Sequence, residues 1–214
     1  CDPVALRVYL LGSGFGALLF QRGYLVLHAN SIRIGEHCLL SIGDSGAGKS
    51  TLAAAFLARG YDVLAEDVVP VDGSGRALPG FPRIKLWQDS ATRLGLSTSG
   101  LPRVLPELDK FNLPVPAGDA AHPLPVHAVY HLRAQPEPGI VLEAVGGMER
   151  LQMLTENTYR FHFLQGMAQR ARHFSQCRDL AGRVRMVQVT RSSQGFAIDA
   201  LVDAIVTDFE ASLP

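Results

Sequence analysis

The densest chemical signal in this chain is Gly43-Asp44-Ser45-Gly46-Ala47-Gly48-Lys49-Ser50-Thr51. It satisfies G-x-x-x-x-G-K-[ST], the phosphate-cradling P-loop, at every position. A polyphosphate needs several backbone N–H groups converging on it, and residues without bulky side chains let the backbone come close. At this spacing Lys49 reaches the β- and γ-phosphates, and the Ser50 hydroxyl completes the shell of a bound Mg²⁺. The expected ligands are ATP and Mg²⁺. The structural alternative is a Gly/Ser-rich turn between two core elements.

The flanks have to aim that loop. Residues 38–42 form a strand-like run, and residues 52–59 are strong helix formers closed by Gly60. Strand, glycine loop and helix point a helix N-terminus at an anion. Upstream, residues 30–34 alternate, Gly35-Glu36-His37 turns, and residues 38–42 return as an antiparallel hairpin. That register sets His28 opposite Gly43, at the mouth of the loop. The alternative for His28 is a strand-end histidine satisfied by backbone. Downstream, residues 63–65 read as a strand parallel to residues 38–42, reached by a right-handed crossover. Ligands bind at the carboxyl edge of such strands, where Glu66 and Asp67 fall. Two carboxylates there suit Mg²⁺ contact and general-base work; a solvated acidic turn is the other reading.

The remaining chemistry is sparser. Of 20 basic residues only Lys49, Lys85 and Lys110 are lysines. Arg83 and Lys85 lie two apart in Pro79-Gly80-Phe81-Pro82-Arg83-Ile84-Lys85-Leu86-Trp87, so on an extended chain they share one face. That face could hold a phosphate or an acidic substrate, or be only a solvated strand face above buried Ile84 and Leu86. Arg133 follows an expected strand at 126–132 and is a further substrate candidate. His37, His122, His127, His131 and His162 show no ligand spacing and no nucleophile.

Composition sets the class. The chain is 47% hydrophobic and 19% charged, as in globular proteins. Twenty basic and 20 acidic residues give zero formal charge, which argues against a nucleic-acid partner. Cys1, Cys38 and Cys177 are odd in number and widely spaced, which fits reduced thiols in the cytoplasm better than disulfides or zinc. No run approaches the length of a membrane helix, so no membrane association is expected. The chain opens on Cys1 and not Met, so a preceding segment is an open expectation; the start is not read as a signal peptide.

The expected organisation is one domain over 1–214, with N-terminal strands, or a strand and a short helix, in 1–27. In that stretch Gly12-Ser13-Gly14 reads as a turn and 17–27 as two strands split by Gln21-Arg22-Gly23. Prolines punctuate an insertion at about 70–125, in which 89–94 starts a helix and 95–125 reads as a mobile lid or substrate-contact region. Strands follow at 126–132 and 140–145, joined by a Pro/Gly turn. Helices are expected from 149–154 and over 158–177, the second with an Arg-rich face that reads as solvated. A strand at 184–189 and an amphipathic helix at 196–213, with Ile198, Leu201, Ile205 and Phe209 on one face, close the chain.

His28, the P-loop and Glu66-Asp67 together resemble the HPr serine kinase/phosphorylase family. The matching pieces are Leu27-His28, Gly43 through Ser50, and Gly60-Tyr61-Asp62-Val63-Leu64-Ala65-Glu66-Asp67. The resemblance implies an α/β P-loop fold with a mixed central sheet, shared with phosphoenolpyruvate carboxykinase. It implies an ATP-dependent serine kinase in which His28, Lys49, Glu66 and Asp67 are catalytic. Asp67 would take the serine hydroxyl proton, and Ser50 with Asp67 would hold Mg²⁺. The E-I-R-G-L-G-type segment of that family is absent. With Leu27-His28-Ala29 and the segment from Pro79 to Trp87, the chain looks more like the HPr-kinase-like enzymes that phosphorylate the C-terminal serine of lasso peptide precursors. A homo-oligomer is possible by analogy, since the HPr enzymes form hexamers. The other functions the sequence admits are an HPr-type kinase/phosphorylase, a small-molecule phosphotransferase and a non-catalytic nucleotide-sensing module.

Overall fold

The computed structural model describes residues 3–116 and 122–213. Cys1 and residues 117–121 of the proline-rich stretch lie outside them. The strands are β1 (Leu25–Leu27), β2 (Asn30–Ile34), β3 (His37–Ile42), β4 (Val63–Glu66), β5 (Val69–Val71), β6 (Arg76–Ala77), β7 (Arg83–Trp87), β8 (Lys110–Pro114), β9 (Leu124–Gln135), β10 (Ile140–Ala144) and β11 (Arg185–Ser192). The helices are α1 (Pro3–Tyr9), α2 (Phe15–Gln21), α3 (Lys49–Ala58), α4 (Gln88–Arg93), α5 (Gly147–Glu156), α6 (His162–Gly166), α7 (Arg170–Arg183) and α8 (Ile198–Ala211).

The fold is α/β with a mixed central sheet, as expected. Strand order runs β1-β5-β6-β9-β3-β2-β4, and β11 lies on β9 with β10 outside it. Strands β3, β9 and β11 are parallel neighbours, and the other pairings are antiparallel. Leu39, Phe56, Tyr130, Val187, Ile205 and Phe209 belong to the core cluster that α3 and α8 share with one sheet face. Cys38, Leu40, Met153, Leu154, Cys177 and Leu180 belong to the cluster on the other face, under α5 and α7. Helix α3 buries Leu52, Ala53, Ala54, Ala55 and Phe56, so the helix behind the P-loop is fixed by packing nearly all round.

The hairpin register is the expected one, from Asn30 opposite Ser41 to Ile34 opposite His37. Strand β4 does run parallel to β3, but β2 lies between them and pairs with both. The carboxyl ends of β3 and β4 therefore share an edge without touching. Strands β9 and β10 are not paired either, because β11 inserts between them.

The expectation for 1–27 holds only at its end, where β1 forms after Gln21-Arg22-Gly23. Before it, in place of strands, α1, a π-helical turn over Leu10–Gly14, and α2 join into one helix. Gly12, read as part of a turn, is an interface position, where a Cβ would stand 3.1 Å from the Tyr159 hydroxyl, and one on Gly16, a turn further along the helix, would stand 2.8 Å from its ring. This 19-residue helix, Pro3–Gln21, is also long and apolar enough to cross a membrane by length and composition, against the sequence reading. Leu19 and Phe20 anchor it beside Val26 and Tyr159, while Leu6, Tyr9, Leu10 and Leu18 are exposed. The helix expected over 158–177 is two, α6 and α7, because Ala168 between them takes a φ of 54°.

Candidate functional site

Backbone sterics explain the glycine spacing of the loop. Gly43, just after β3, has a φ of 140°, and a Cβ there would stand 2.6 Å from the Leu132 carbonyl oxygen of β9. Gly48 has a φ of 104°, and a Cβ would press on the Arg191 guanidinium at 3.1 Å. Only glycine serves at both ends. Three side chains far away in sequence hold the loop from outside. Buried Asn30 accepts from the Ser41 hydroxyl and donates to the Lys49 carbonyl at 2.5 Å. Asn157 accepts from the Gly43 N–H at 2.8 Å, and its own carbonyl accepts the His28 N–H at 2.8 Å. Arg191 donates to the Ala47 carbonyl at 2.8 Å.

Lys49 is 8% exposed and donates to the Gly43 and Asp44 carbonyls at 2.5 and 3.1 Å. Burial lowers its pKa, and the charges of Asp67, Glu66 and Asp44 oppose that. A cation so enclosed is stabilised by an anion arriving at the loop.

The two carboxylates meet different partners. Glu66, paired in register with Asn30, accepts from the Ser50 hydroxyl at 2.6 Å. Asp67 turns the other way on a φ of 73°, which costs about 1–3 kcal/mol for a residue other than glycine. Its carboxylate lies 2.5 Å from Lys85 Nζ and 3.3 Å from His28 Nδ1. Burial alone would raise the Asp67 carboxyl, but the His28 hydrogen bond and the Lys85 ammonium outweigh it and hold it well below the usual carboxylate range. Burial raises the Glu66 carboxyl, and the neighbouring Asp67 charge adds to this against the Ser50 hydrogen bond and Lys85. The structure thus brings Glu66, and not Asp67, to Ser50.

A carboxyl with a raised folded pKa destabilises the fold while ionised, and the cost disappears as pH falls through that pKa. Glu66→Gln keeps an acceptor for Ser50 and removes the charge. Its melting temperature is expected to exceed wild type at neutral pH, with the gap closing as pH falls through the raised Glu66 pKa and towards the ordinary carboxylate range. Paired thermal melts at neutral and acid pH check this, and a variant that melts lower at neutral pH contradicts it.

Arg83 and Lys85 share a face of β7 while Ile84 and Leu86 are buried, as the alternation implied. Lys85 reaches Asp67, whereas Arg83 lies over the Phe81 ring at 5.7 Å. Arg133 is exposed near the end of β9, which continues past the expected boundary to Gln135, and it lines no cavity described below. No described residue of 95–116 or 122–125 lines those cavities either. The stretch is mostly exposed or half-buried, and Val104, Leu113 and Leu124 are among the residues that tie it to the body of the protein.

A cavity of about 700 Å³ opens over one side of the loop. Gly43, Asp44 and Ser45 form part of its wall, His28, Asp67 and Lys85 another, and Tyr9 and Gly12 of the N-terminal helix a third. His162, given no role by sequence, also lines it. Cys38 and Cys177 are buried and free, and burial pushes each thiol up to about 12, which makes them inert.

Ser50, Glu66 and the adjacent Asp67 offer only oxygen donors, which fits a hard divalent cation. Among the described residues no three His, Cys, Asp or Glu side chains gather into a metal cage. Mg²⁺ is commonly held by one or two carboxylates together with substrate phosphates, so the donor set fits that ion.

No family model and no curated protein matches the chain. Among solved structures it is similar to the Hpr(Ser) kinase/phosphatase from Coxiella burnetii, at 13% identity and a TM-score of 0.41, covering 87% of this chain and 90% of that one.

Proposed function

We propose that this chain transfers the γ-phosphoryl group of ATP to a serine hydroxyl of a peptide or protein. One observation carries the reading: an ionised carboxylate, Asp67, shares a cavity with the first residues of a P-loop. Pure nucleotide binding needs no such group. The sequence resemblance to the HPr serine kinase/phosphorylase family agrees with this, and a precursor peptide ending in serine is the finer proposal for the acceptor.

Loop N–H groups and Lys49 hold the phosphates, and Ser50 with Glu66 would hold Mg²⁺. When bound, that ion neutralises charge on the β and γ oxygens. The serine hydroxyl enters the cavity beside Gly43 and hydrogen-bonds to Asp67. Its oxygen attacks the γ-phosphorus in line, the bond from that phosphorus to the β–γ bridging oxygen breaks, ADP leaves, and the hydroxyl proton passes to Asp67. Asp67 paired to Lys85 is a weak base, so its first role is orientation. As the Lys85 ammonium turns towards the transferring phosphoryl group, Asp67 loses a counter-charge and becomes a better proton acceptor.

An initial-rate assay tests the acceptor. A serine-ended peptide, the same peptide ending in alanine, and a panel of small hydroxyl metabolites are each supplied with ATP and Mg²⁺. ADP formation with the serine peptide alone is expected. Turnover on a metabolite would instead favour a small-molecule phosphotransferase, and tight ATP binding without ADP on any acceptor a sensor.

A further inference from the structure

A second cavity, of about 460 Å³, opens on the opposite side of the P-loop from Asp67. Gly46, Gly48 and Thr51 form its mouth, and Ile140, Ile198 and Leu201 form apolar wall. Its size lies in the range of about 300–1,000 Å³ typical of small-molecule sites. Arg93 sits over the Phe196 ring at 5.8 Å, both residues lining the space, so a guanidinium–aromatic pair lies at its side. Asp89, its carboxylate, is paired to Arg93 at 3.1 Å, and no histidine lines the space. This cavity holds no free base and has no reason to take an acceptor hydroxyl.

We infer that this cavity binds the nucleoside of the triphosphate, its base stacked on Phe196 and Arg93. The inference rests on the proposed use of the P-loop for a nucleotide. The polarity of the loop supports it. Backbone N–H groups at the start of the helix cradle the α- and β-phosphates, and the lysine reaches the β and γ. Asp67 and His28 stand beside Gly43 to Ser45, so the γ-phosphate belongs at that end. The α-phosphate then leaves past Gly48 and Thr51, into this second cavity. Arg191, bonded to the Ala47 carbonyl between them, adds positive charge along that path. Planar bases stack on aromatic and guanidinium faces, and the apolar wall takes the base edge.

Calorimetry with two probes, ATP and inorganic tripolyphosphate, separates the loop from the cavity. Ala200 lines the cavity from an exposed position of α8, so Ala200→Trp fills the space without entering the core. The variant is expected to bind ATP at least about tenfold more weakly and tripolyphosphate within about twofold of wild type. Phe196→Ala, on an exposed loop, should weaken ATP by about 5- to 100-fold through lost stacking, again sparing tripolyphosphate. Unchanged ATP affinity in both variants overturns the assignment while the P-loop reading stands. Wild type that binds neither probe overturns the P-loop reading and this one with it.

Discussion

Asp67→Asn is expected to slow phosphoryl transfer by about 10²–10⁴-fold while nucleotide affinity stays near that of wild type. The substitution keeps shape and hydrogen bonding at the one carboxylate in the larger cavity that both His28 and Lys85 contact. It removes the charge that orients the acceptor hydroxyl and the site that takes its proton. Nucleotide affinity holds because the loop is built by Gly43, Gly48, Asn30, Asn157 and Arg191, none of which bonds to the Asp67 side chain. Turnover at saturating ATP, together with a direct binding constant, checks both halves. Turnover within a few-fold of wild type would remove Asp67 from the chemistry.

Lys49→Met is expected to weaken triphosphate binding by about 100-fold or more, with transfer falling below detection. The ammonium is enclosed by the Gly43 and Asp44 carbonyls, inside the loop that would receive the phosphates. In so dry a site a charge-assisted contact is worth well over a surface ion pair, and each 1.4 kcal/mol is tenfold in affinity. Methionine fills similar volume and needs no counter-charge, so the melting temperature should change little. Calorimetric titration with ATP measures the loss. Wild-type affinity in a folded Lys49→Met protein would detach the P-loop from phosphate binding.

Local signals made much of this site readable. The glycine spacing, the hairpin register that carries His28 to Gly43, and the strand that delivers Glu66-Asp67 to the same edge all follow from short-range pattern. Period-two alternation was enough to pair Arg83 with Lys85 on one face. The separate partners of the two carboxylates were not legible, because they depend on the left-handed backbone of Asp67. Asn157 and Arg191 escaped notice for another reason. Asn157 caps α5 and Arg191 is the penultimate residue of β11, so each reads as an ordinary boundary residue until the chain folds back onto the loop. The N-terminal helix was misread because Gly12 and Gly14 punctuate like a turn, whereas Tyr159, more than a hundred residues away, needs Gly12 and Gly16 small. The prolines of 95–125 exclude long helices but do not themselves say what the segment covers, and its described residues line neither cavity.

The central claim is that one P-loop and the carboxylate beside it move a phosphoryl group onto a hydroxyl. Single-turnover transfer of the label from γ-labelled ATP to a serine-ended peptide, with enzyme in excess, tests it most directly. Label on the serine with wild type, and ATP bound but unconverted with Asp67→Asn, is the predicted result. Wild type that binds the labelled ATP and leaves every serine unlabelled would contradict it.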